Sequence, residues 1–241
     1  MVVALDGAVA ICGADAIWQE CAAAIVRPDV EHAFDCNGAH GVMLFVDPES
    51  SEGAWLCGSL SRDVTALSAA RADAVARELR ILVEQPDEVT DVDALVRRAV
   101  QALRPGKAPA RRLDPRVTAV LDAIRQSDDL RLSLADAAGT ACLSPSRFAH
   151  LFKEQVGLPF SRYLLWRKLT RAMVAVGSER TLAAAAHAAD FAEAAHQTRT
   201  SDQMVGMAPS VLMRGDFTEI ASPFAIATEA PAVRRFPRPV E

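Results

Sequence analysis

Short apolar or alternating runs mark the first part of the chain. They occupy residues 2–5, 8–12, 22–26, 32–34 and 42–46, and the turns between them carry Asp6-Gly7, Pro28-Asp29 and Asn37-Gly38. Runs of this length with such boundaries are typical of β-strands of about 4–6 residues. Because Asp-Gly and Asn-Gly are the favoured two-residue hairpin turns, the pattern predicts an antiparallel β unit built from hairpins.

A helical period replaces the short runs from residue 64 onwards. Apolar side chains at positions 64, 67, 70, 74, 75 and 79 share one stripe, with charged side chains on the opposite face. This spacing predicts a long helix over residues 64–83. A second helix is predicted over residues 91–103, followed by a linker with Pro and Gly at 104–109.

The second half of the chain contains one layout twice. Residues 133–157 and 181–206 each predict a short alanine-rich helix, a tight turn and a second helix that carries polar side chains. In the first copy Ser133 and Ser144 stand where side-chain oxygens cap helix N-termini, and Pro145 takes the first helical position. This is the layout of a helix-turn-helix, a motif that places its second helix in the major groove of DNA.

The second helix of the first copy has two distinct faces. Its inward, apolar stripe consists of Phe148, Leu151, Phe152 and Val156, and its outward face consists of Ser146, Arg147, Ala149, His150 and Lys153. Arginine and histidine can reach base edges and lysine can hold a phosphate, so the outward face suits DNA reading. Taken alone, the pattern also fits a solvated helix face in an all-α bundle.

Further residues in a fixed order extend this pattern through the C-terminal half. They are the runs 143–148, 151–153 and 157–160, Tyr163, Leu164, Arg167, Leu169 and Ala172, and in the second copy Ala185, Phe191 and the runs 195–196, 199–200 and 206–210. With these residues the chain, from Leu113 to Gly215, resembles the DNA-binding region of the AraC family of bacterial transcription regulators. The resemblance implies two helix-turn-helix units joined by a long helix at about residues 160–176, with the two recognition helices in successive major-groove segments.

Side-chain chemistry on this pattern leads us to expect particular DNA contacts. Arg147 and His150 are expected to read bases, Ser146 and Ala149 to contact sugars or thymine methyl groups, and Lys153 and Arg167 to lie near phosphates. The complete set of candidate DNA-contacting residues is Ser144, Ser146, Arg147, Ala149, His150, Lys153 and Arg167 in the first unit, and Ala194, Ala195, Thr198 and Arg199 in the second.

Several positions of the second unit depart from the family pattern. Asp190 stands where the family's turn has Gly, and Gln197, Ser201 and Val205 stand where the family has Phe, so the unit loses buried aromatic volume. Asp202 replaces a basic residue and would repel phosphate. We therefore expect less DNA affinity from the second unit than from the first. Arg199 is its best contact, unless that side chain merely pairs with a neighbouring acid.

Residues 27–32 and 44–50 resemble the small cupin-like sensor domain that precedes the DNA-binding region in many relatives. The resemblance implies a sensor for a small-molecule effector. Trp18 and Trp55 are candidate ligand-binding residues that also fit a plain core, and His32 is a further candidate that also fits a barrel or turn position. The connecting helices would either mediate a homodimer or pack on the β unit. Because the chain begins at the second or third strand of such a barrel, we expect an incomplete barrel, a partner at its edge or a start further upstream.

Charge is distributed unevenly along the 241 residues. The net charge of −5 is unusual for a DNA-binding protein, but residues 1–110 carry −8 and residues 111–215 carry +4. Basic charge is therefore confined to the region with the helix-turn-helix pattern, as expected when one domain meets phosphate and another does not. The length suits two domains.

The sequence offers little chemistry beyond binding. Only His32 and His40 fall in the β unit, whereas a metal site needs three or more convergent ligands, so we expect no metal, cofactor or catalytic residue. The five cysteines lack Cys-x-x-Cys spacing and fit free thiols in a reducing compartment, with a redox-sensing pair among Cys12, Cys21 and Cys36 as the alternative. No signal-peptide pattern or membrane-spanning run is evident, which leads us to expect a cytoplasmic protein without membrane contact.

These observations predict an α+β protein. We expect a cupin-like β domain at residues 1–60, connecting helices and a linker at 61–110, a double helix-turn-helix domain at 111–216 and a disordered tail at 217–241. The function expected is sequence-specific transcription regulation on double-stranded DNA, with an effector, a homodimer and RNA polymerase as further candidate partners. The alternative is a regulator with weakened DNA binding that acts through protein contacts, and a cupin enzyme ranks third.

Overall fold

The computed structural model describes residues 1–36, 38–84, 91–103, 112–127, 129–178, 198–201, 204 and 225–229. The strands are β1 (Val2–Ala4), β2 (Val9–Cys12), β3 (Gln19–Cys21), β4 (Ala23–Val26), β5 (Ala33–Asp35), β6 (His40–Leu44), β7 (Val64–Ala66) and β8 (Ala225–Glu229). The helices are α1 (Ser51–Ser59), α2 (Ala69–Leu79), α3 (Ile81–Glu84), α4 (Val92–Ala102), α5 (Pro115–Gln126), α6 (Leu134–Thr140), α7 (Pro145–Val156) and α8 (Phe160–Ser178). Antiparallel sheets at the N-terminus and helices after them confirm the α+β class.

The strands form two antiparallel sheets. The five-stranded sheet has the order β7-β4-β1-β6-β8, and the three-stranded sheet has the order β3-β2-β5. β1 is central in the larger sheet, where Val2 lies opposite Ala24 of β4 on one side and Met43 of β6 on the other. The chain therefore crosses between the sheets several times: β1, β4 and β6 to β8 lie in the larger sheet, and β2, β3 and β5 lie in the smaller one.

The hairpins predicted at Gly7 and Gly38 are wrong, although both glycines have turn conformations. Gly7 and Gly38 have φ of +62° and +79°, the left-handed conformation that glycine adopts at low cost. The turn at Gly7, however, leads from β1 in one sheet to β2 in the other, and the turn at Gly38 leads from β5 to β6 in the same way. A tight turn reverses the chain locally, but the apolar faces of the strands decide their partners. The predicted strands do not include β3, because its side chains are largely exposed and form no apolar run.

The central strands β4, β1 and β6 of the five-stranded sheet are buried on both faces. One face contributes to a helix-side core, formed with α1, α2 and α4, that includes Val3, Ala23, Ile25, Val42, Leu44, Leu56, Val75, Leu79, Leu95 and Ala99. The other face contributes to an inter-sheet core that consists of Val2, Ala4, Val9, Ile11, Ala24, Phe34, Cys36, Met43, Leu169 and Ala172. Burial on both faces explains why β1 reads as a continuous apolar run without alternation.

The single helix predicted over residues 64–83 is divided in the structure. Val64 and Thr65, which are β-branched, instead pair with β4 as strand β7, and α2 begins only after Ser68. The β unit thus extends beyond residue 60, and it also contains the unpredicted helix α1, which Ser50 caps by accepting from the backbone N–H of Gly53. The second connecting helix, α4, lies close to its predicted bounds, with Asp91 as its cap.

Four helices follow and share one core, the helix-turn-helix core. It contains Val117, Val120, Leu121, Ile124, Leu130, Ala137, Ala138, Ala141, Phe148, Phe152, Val156, Leu158, Phe160, Tyr163 and Leu164. The rings of Phe152, Phe160 and Tyr163 meet edge to face, with centroids 5.2–5.4 Å apart, and Phe148 lies beside them. Their packing sets the position of α7 on α8.

The C-terminal tail differs in part from the expected disorder. Residues 225–229 form β8, which pairs antiparallel with β6 so that His40 lies opposite Glu229 and Leu44 opposite Ala225. The tail has few large apolar side chains, and this composition predicts disorder. A strand at a sheet edge can nevertheless form, because it pairs through backbone hydrogen bonds. The other tail residues lie outside the described part of the chain.

Substitution of Ser133 tests the start of α6. Ser133 and Asp136 form a reciprocal capping box, so Ser133→Ala is expected to lower the free energy of unfolding by about 1 kcal/mol. Urea unfolding followed by circular dichroism measures the change. Ser161→Ala is the control, because Ser161 is exposed in the first turn of α8 and alanine favours the helix. Equal effects of the two substitutions would contradict the capping role.

Candidate nucleic-acid interface

Helix α6 provides the support on which α7 rests. Ala137, Ala138 and Ala141 are buried against the helix-turn-helix core, and their small side chains let the two helices approach closely. The capping box at Ser133 satisfies backbone N–H groups at the start of α6 and fixes where the helix begins.

The turn between α6 and α7 is a Schellman motif with an unusual residue. Cys142 donates its backbone N–H to the carbonyl oxygen of Gly139 (3.0 Å), and Leu143 donates to that of Ala138 (2.9 Å). The position after the last helical turn normally holds glycine, but Cys142 occupies it with φ of +52°. The motif directs the chain from α6 into α7. The sequence pattern does not indicate that Cys142 is its left-handed residue.

Helix α7 has well-defined ends. The Ser144 hydroxyl accepts from the backbone N–H of Arg147, and Pro145 occupies the first turn. Gly157 ends the helix with φ of +88°, and its N–H donates to the carbonyl oxygen of Lys153 at 2.9 Å. These local signals explain why the bounds of α7 follow from the sequence.

The two faces of α7 separate as the pattern predicted. Phe148 and Phe152 are fully buried in the helix-turn-helix core, together with Val156. The recognition face, which we define as Ser146, Arg147, His150 and Lys153, is exposed along the other side, with Ala149 half-buried beside it. Two cations and an imidazole thus lie on one face of a rigid helix, where a groove of DNA could receive them.

Other candidate residues lie elsewhere. Arg167 on α8 is only 20% exposed at its side chain and pairs with Asp47 of the β unit at 3.6 Å. In the second unit Thr198 is half-buried and Arg199 is exposed, and the candidates Ala194 and Ala195 lie outside the described residues. The structure therefore brings together the α7 residues but places Arg167 apart from them.

The candidate effector residues do not form one group. Trp55 packs against the helix-side core, on the face of the five-stranded sheet away from the inter-sheet space. Trp18 is half-buried in the connection between β2 and β3, and His32 is exposed before β5, with Nδ1 2.9 Å from the carbonyl oxygen of Val30. Among the described residues, no group of three or more His, Cys, Asp or Glu side chains could hold a metal.

Comparison with known proteins identifies the helical region. Residues 137–215 match a family model described as a helix-turn-helix domain. The C-terminal part of this chain is an AraC-type helix-turn-helix region. The match begins within α6 and includes α7 and α8, so the exposed recognition face belongs to a DNA-binding fold.

A solved structure is also similar to the AraC-type region. It is the C-terminal domain of the two-component response regulator yesN from Fusobacterium nucleatum subsp. nucleatum, with 19% identity over 42% of this chain and 99% of that domain, and a TM-score of 0.39. None of the curated proteins matches this chain. Within the described residues, no helix is both long and apolar enough to cross a membrane.

The β unit and the AraC-type region meet through two acidic side chains that the sequence did not reveal as a pair. Asp47 and Glu49, which follow β6, are both buried. The Tyr163 hydroxyl donates to Glu49 Oε1 at 2.7 Å, and burial together with the Glu49 charge raises the pKa of Tyr163, so the hydroxyl remains a donor. Trp166 of α8 packs its ring against Phe45, with centroids 5.1 Å apart.

Relief of the left-handed strain gives one test of the α6–α7 turn. Cys142→Gly is expected to raise the free energy of unfolding by about 1 kcal/mol, because glycine adopts φ of +52° without the steric cost that Cβ imposes. Cys142→Ala keeps that cost and removes the same thiol, so it is the matched control. Denaturant unfolding of both variants provides the measurement, and equal stability of the Gly and Ala variants would contradict the assignment.

The buried carboxyl of Asp47 predicts a pH dependence of stability. Burial and the neighbouring Glu49 charge raise the pKa of Asp47 to about 6. Since the unfolded value is about 3.9, the native state binds more protons between about pH 4 and pH 6, and the free energy of unfolding should fall as pH rises through that window. Asp47→Asn should remove this component. Urea unfolding of both proteins across the window tests it, and identical pH profiles would contradict it.

Proposed function

We propose that this protein is a transcription regulator that reads double-stranded DNA through α7. The observation that carries the proposal is the exposed recognition face of Ser146, Arg147, His150 and Lys153 on a helix with fixed ends, within an AraC-type helix-turn-helix region. Exposed cations on a rigid helix supply base contacts and phosphate contacts together.

The residues divide by their chemistry. Arg147 can bond two acceptors of a guanine edge, and His150 is one helical turn further along the same face, so these two are the base readers. Lys153, one turn beyond His150, contacts a phosphate. Ser146 and the half-buried Ala149 are small enough to contact sugars or thymine methyl groups, and Ser144 at the N-cap contacts the backbone of the duplex.

The second unit contributes less affinity than the first. Thr200 and Ser201 are 3% and 1% exposed, so small polar side chains occupy buried positions of that unit. Small side chains at such positions bury little apolar surface and hold a helix less firmly than aromatic ones. Arg199 is the best contact of this unit, and Thr198, Ala194 and Ala195 are its further candidate contacts.

The β unit is the regulatory part of the proposed protein. Its acidic charge has no use at DNA, and its inter-sheet core includes Leu169 and Ala172 of α8. A small-molecule effector that enters between the sheets would therefore act directly on the helix that links the two DNA-binding units. A homodimer and RNA polymerase complete the proposed partners, and we place the protein in the cytoplasm with its DNA.

Alanine substitutions on α7 test the proposed reading of DNA. Arg147→Ala or His150→Ala should weaken specific binding by about 1–3 kcal/mol and relax the preference at one part of the binding site, because each removes a base contact. Arg199→Ala should weaken it less. Fluorescence anisotropy with a duplex selected by the wild-type chain from a random pool gives the affinities.

Arg97→Ala is the matched control, since Arg97 is an exposed arginine on α4 in the acidic half of the chain. If Arg97→Ala weakened DNA binding as much as Arg147→Ala, the loss of affinity would come from the change in total charge and not from a lost base contact. If Arg199→Ala were as damaging as Arg147→Ala, the two units would contribute equally, contrary to the proposal.

A further inference from the structure

We propose that the acidic β unit competes with DNA phosphates for arginines of the AraC-type region, so that the contact between the two parts is an autoinhibitory electrostatic latch. This inference rests on the proposed DNA-binding function. The acidic β unit would then be a binding partner, within the same chain, for the basic AraC-type region. The resemblance did not suggest this partner.

Three arginines of the helical region pair with acids of the β unit. On α8, Nε of Arg162 lies 3.3 Å from Oδ1 of Asp29. Nη1 of Arg167, on the same helix, lies 3.6 Å from Oδ2 of Asp47. On α5, Nη2 of Arg125 lies 3.3 Å from Oε1 of Glu49. The sequence separations are large, so these pairs form only when the two parts of the chain meet. We call these three pairs the latch.

Two of the latch acids are built into a structured contact. Asp47 and Glu49 are 6% and 4% exposed, the Tyr163 hydroxyl donates to Glu49, and Trp166 Nε1 lies 3.5 Å from Asp47. Buried carboxylates lose their hydration and depend on the cations and donors around them. Arg125 and Arg167 are therefore paired with buried carboxylates, whereas Arg162 and Asp29 form an exposed surface pair.

The same arginines are suited to a second anion. Phosphate and carboxylate are recognised by the guanidinium group through the same geometry, so an arginine held by one is withheld from the other. Arg167 is the clearest case, because we expect it near a phosphate whereas the structure pairs it with Asp47. Tethering keeps the acids at a high effective concentration near the arginines.

The charge distribution supports competition between the acids of the β unit and DNA phosphates for the same arginines. Residues 1–110 carry −8 and residues 111–215 carry +4, so the acidic part is the complementary surface for the basic part. The recognition face on α7 remains exposed in the latched state. The latched protein can therefore meet DNA through α7, but it does so with fewer phosphate contacts than the released protein.

Neutral variants of two latch acids test the proposal in the full chain. Asp29→Asn and Asp47→Asn are combined, because both retain side-chain shape, and asparagine tolerates the φ of +60° found at Asp29. Binding to the selected duplex and to an unrelated duplex is measured by anisotropy over a series of KCl concentrations. The matched control combines Asp73→Asn and Glu84→Gln, which change the charge equally at exposed positions of α2 and α3.

The latch predicts tighter binding of the double variant to both duplexes, by about fivefold or more at low salt. Two released arginines that reach phosphates would steepen the slope of log K against log salt by about 1–2. In the same series Arg167→Ala should weaken binding more in the Asp47→Asn background than in the wild-type chain, because only there is Arg167 free of its carboxylate.

Affinities and salt slopes equal to those of the control variant would overturn the latch while leaving DNA binding intact. A tighter affinity with an unchanged slope would overturn it as well, since it would reflect net charge without new phosphate contacts. If neither the wild-type chain nor any variant bound either duplex, the proposed function itself would fail. Asp29→Asn alone, at an exposed pair, keeps the test valid if the buried substitution impairs folding.

Discussion

Helix α8 belongs to two cores, and this shared helix constrains the rest of the described structure. Near its N-terminus, Phe160, Tyr163 and Leu164 are part of the helix-turn-helix core. Further along, Leu169 and Ala172 are part of the inter-sheet core. A helix of 19 residues spans about 28 Å and resists bending, so the β unit and α7 are held in relation to each other through one rigid element. A change in the packing between the sheets therefore bears on the DNA-binding region without an intermediate linker.

Electrostatics acts at the same junction. Exposed ion pairs such as Arg131 with Asp129 lie within one part of the chain and contribute little to stability. The pairs formed by Asp47 and Glu49 differ, because the acids are buried and come from the other half of the chain. The uneven charge of the sequence thus has a structural counterpart, in which the acidic half supplies anions to the basic half.

The first helix-turn-helix unit could be predicted from the sequence because its signals are local. Ser144, Pro145 and Gly157 mark the ends of α7, and the spacing of its phenylalanines marks the buried face. The topology of the sheets could not be predicted, because strand partners are chosen by burial across the fold, whereas the Asp-Gly and Asn-Gly turns report only a local reversal. The error at β7 has a related cause, since an apolar residue at Val64 fits a helical stripe as well as a strand.

The contact between the β unit and the helical region could not be predicted from the sequence either. Tyr163 and Glu49 are 114 residues apart, and nothing in the spacing of either residue points to the other. The resemblance located Tyr163 within the family pattern and Glu49 within a cupin-like segment, but it paired neither. The pattern therefore predicted the exposed face of α7, but it did not indicate the buried acids that pair with Arg125 and Arg167.

Hydroxyl-radical footprinting of the full chain on its selected duplex tests whether α7 is the principal reader of DNA. We expect protection on one face of the duplex over two successive major-groove segments, strong at the segment read by α7 and weak at the other, with the strong segment lost in Arg147→Ala. Equal protection of both segments that persists in Arg147→Ala, or protection without any preferred position, would contradict the claim that α7 is the principal reader of DNA.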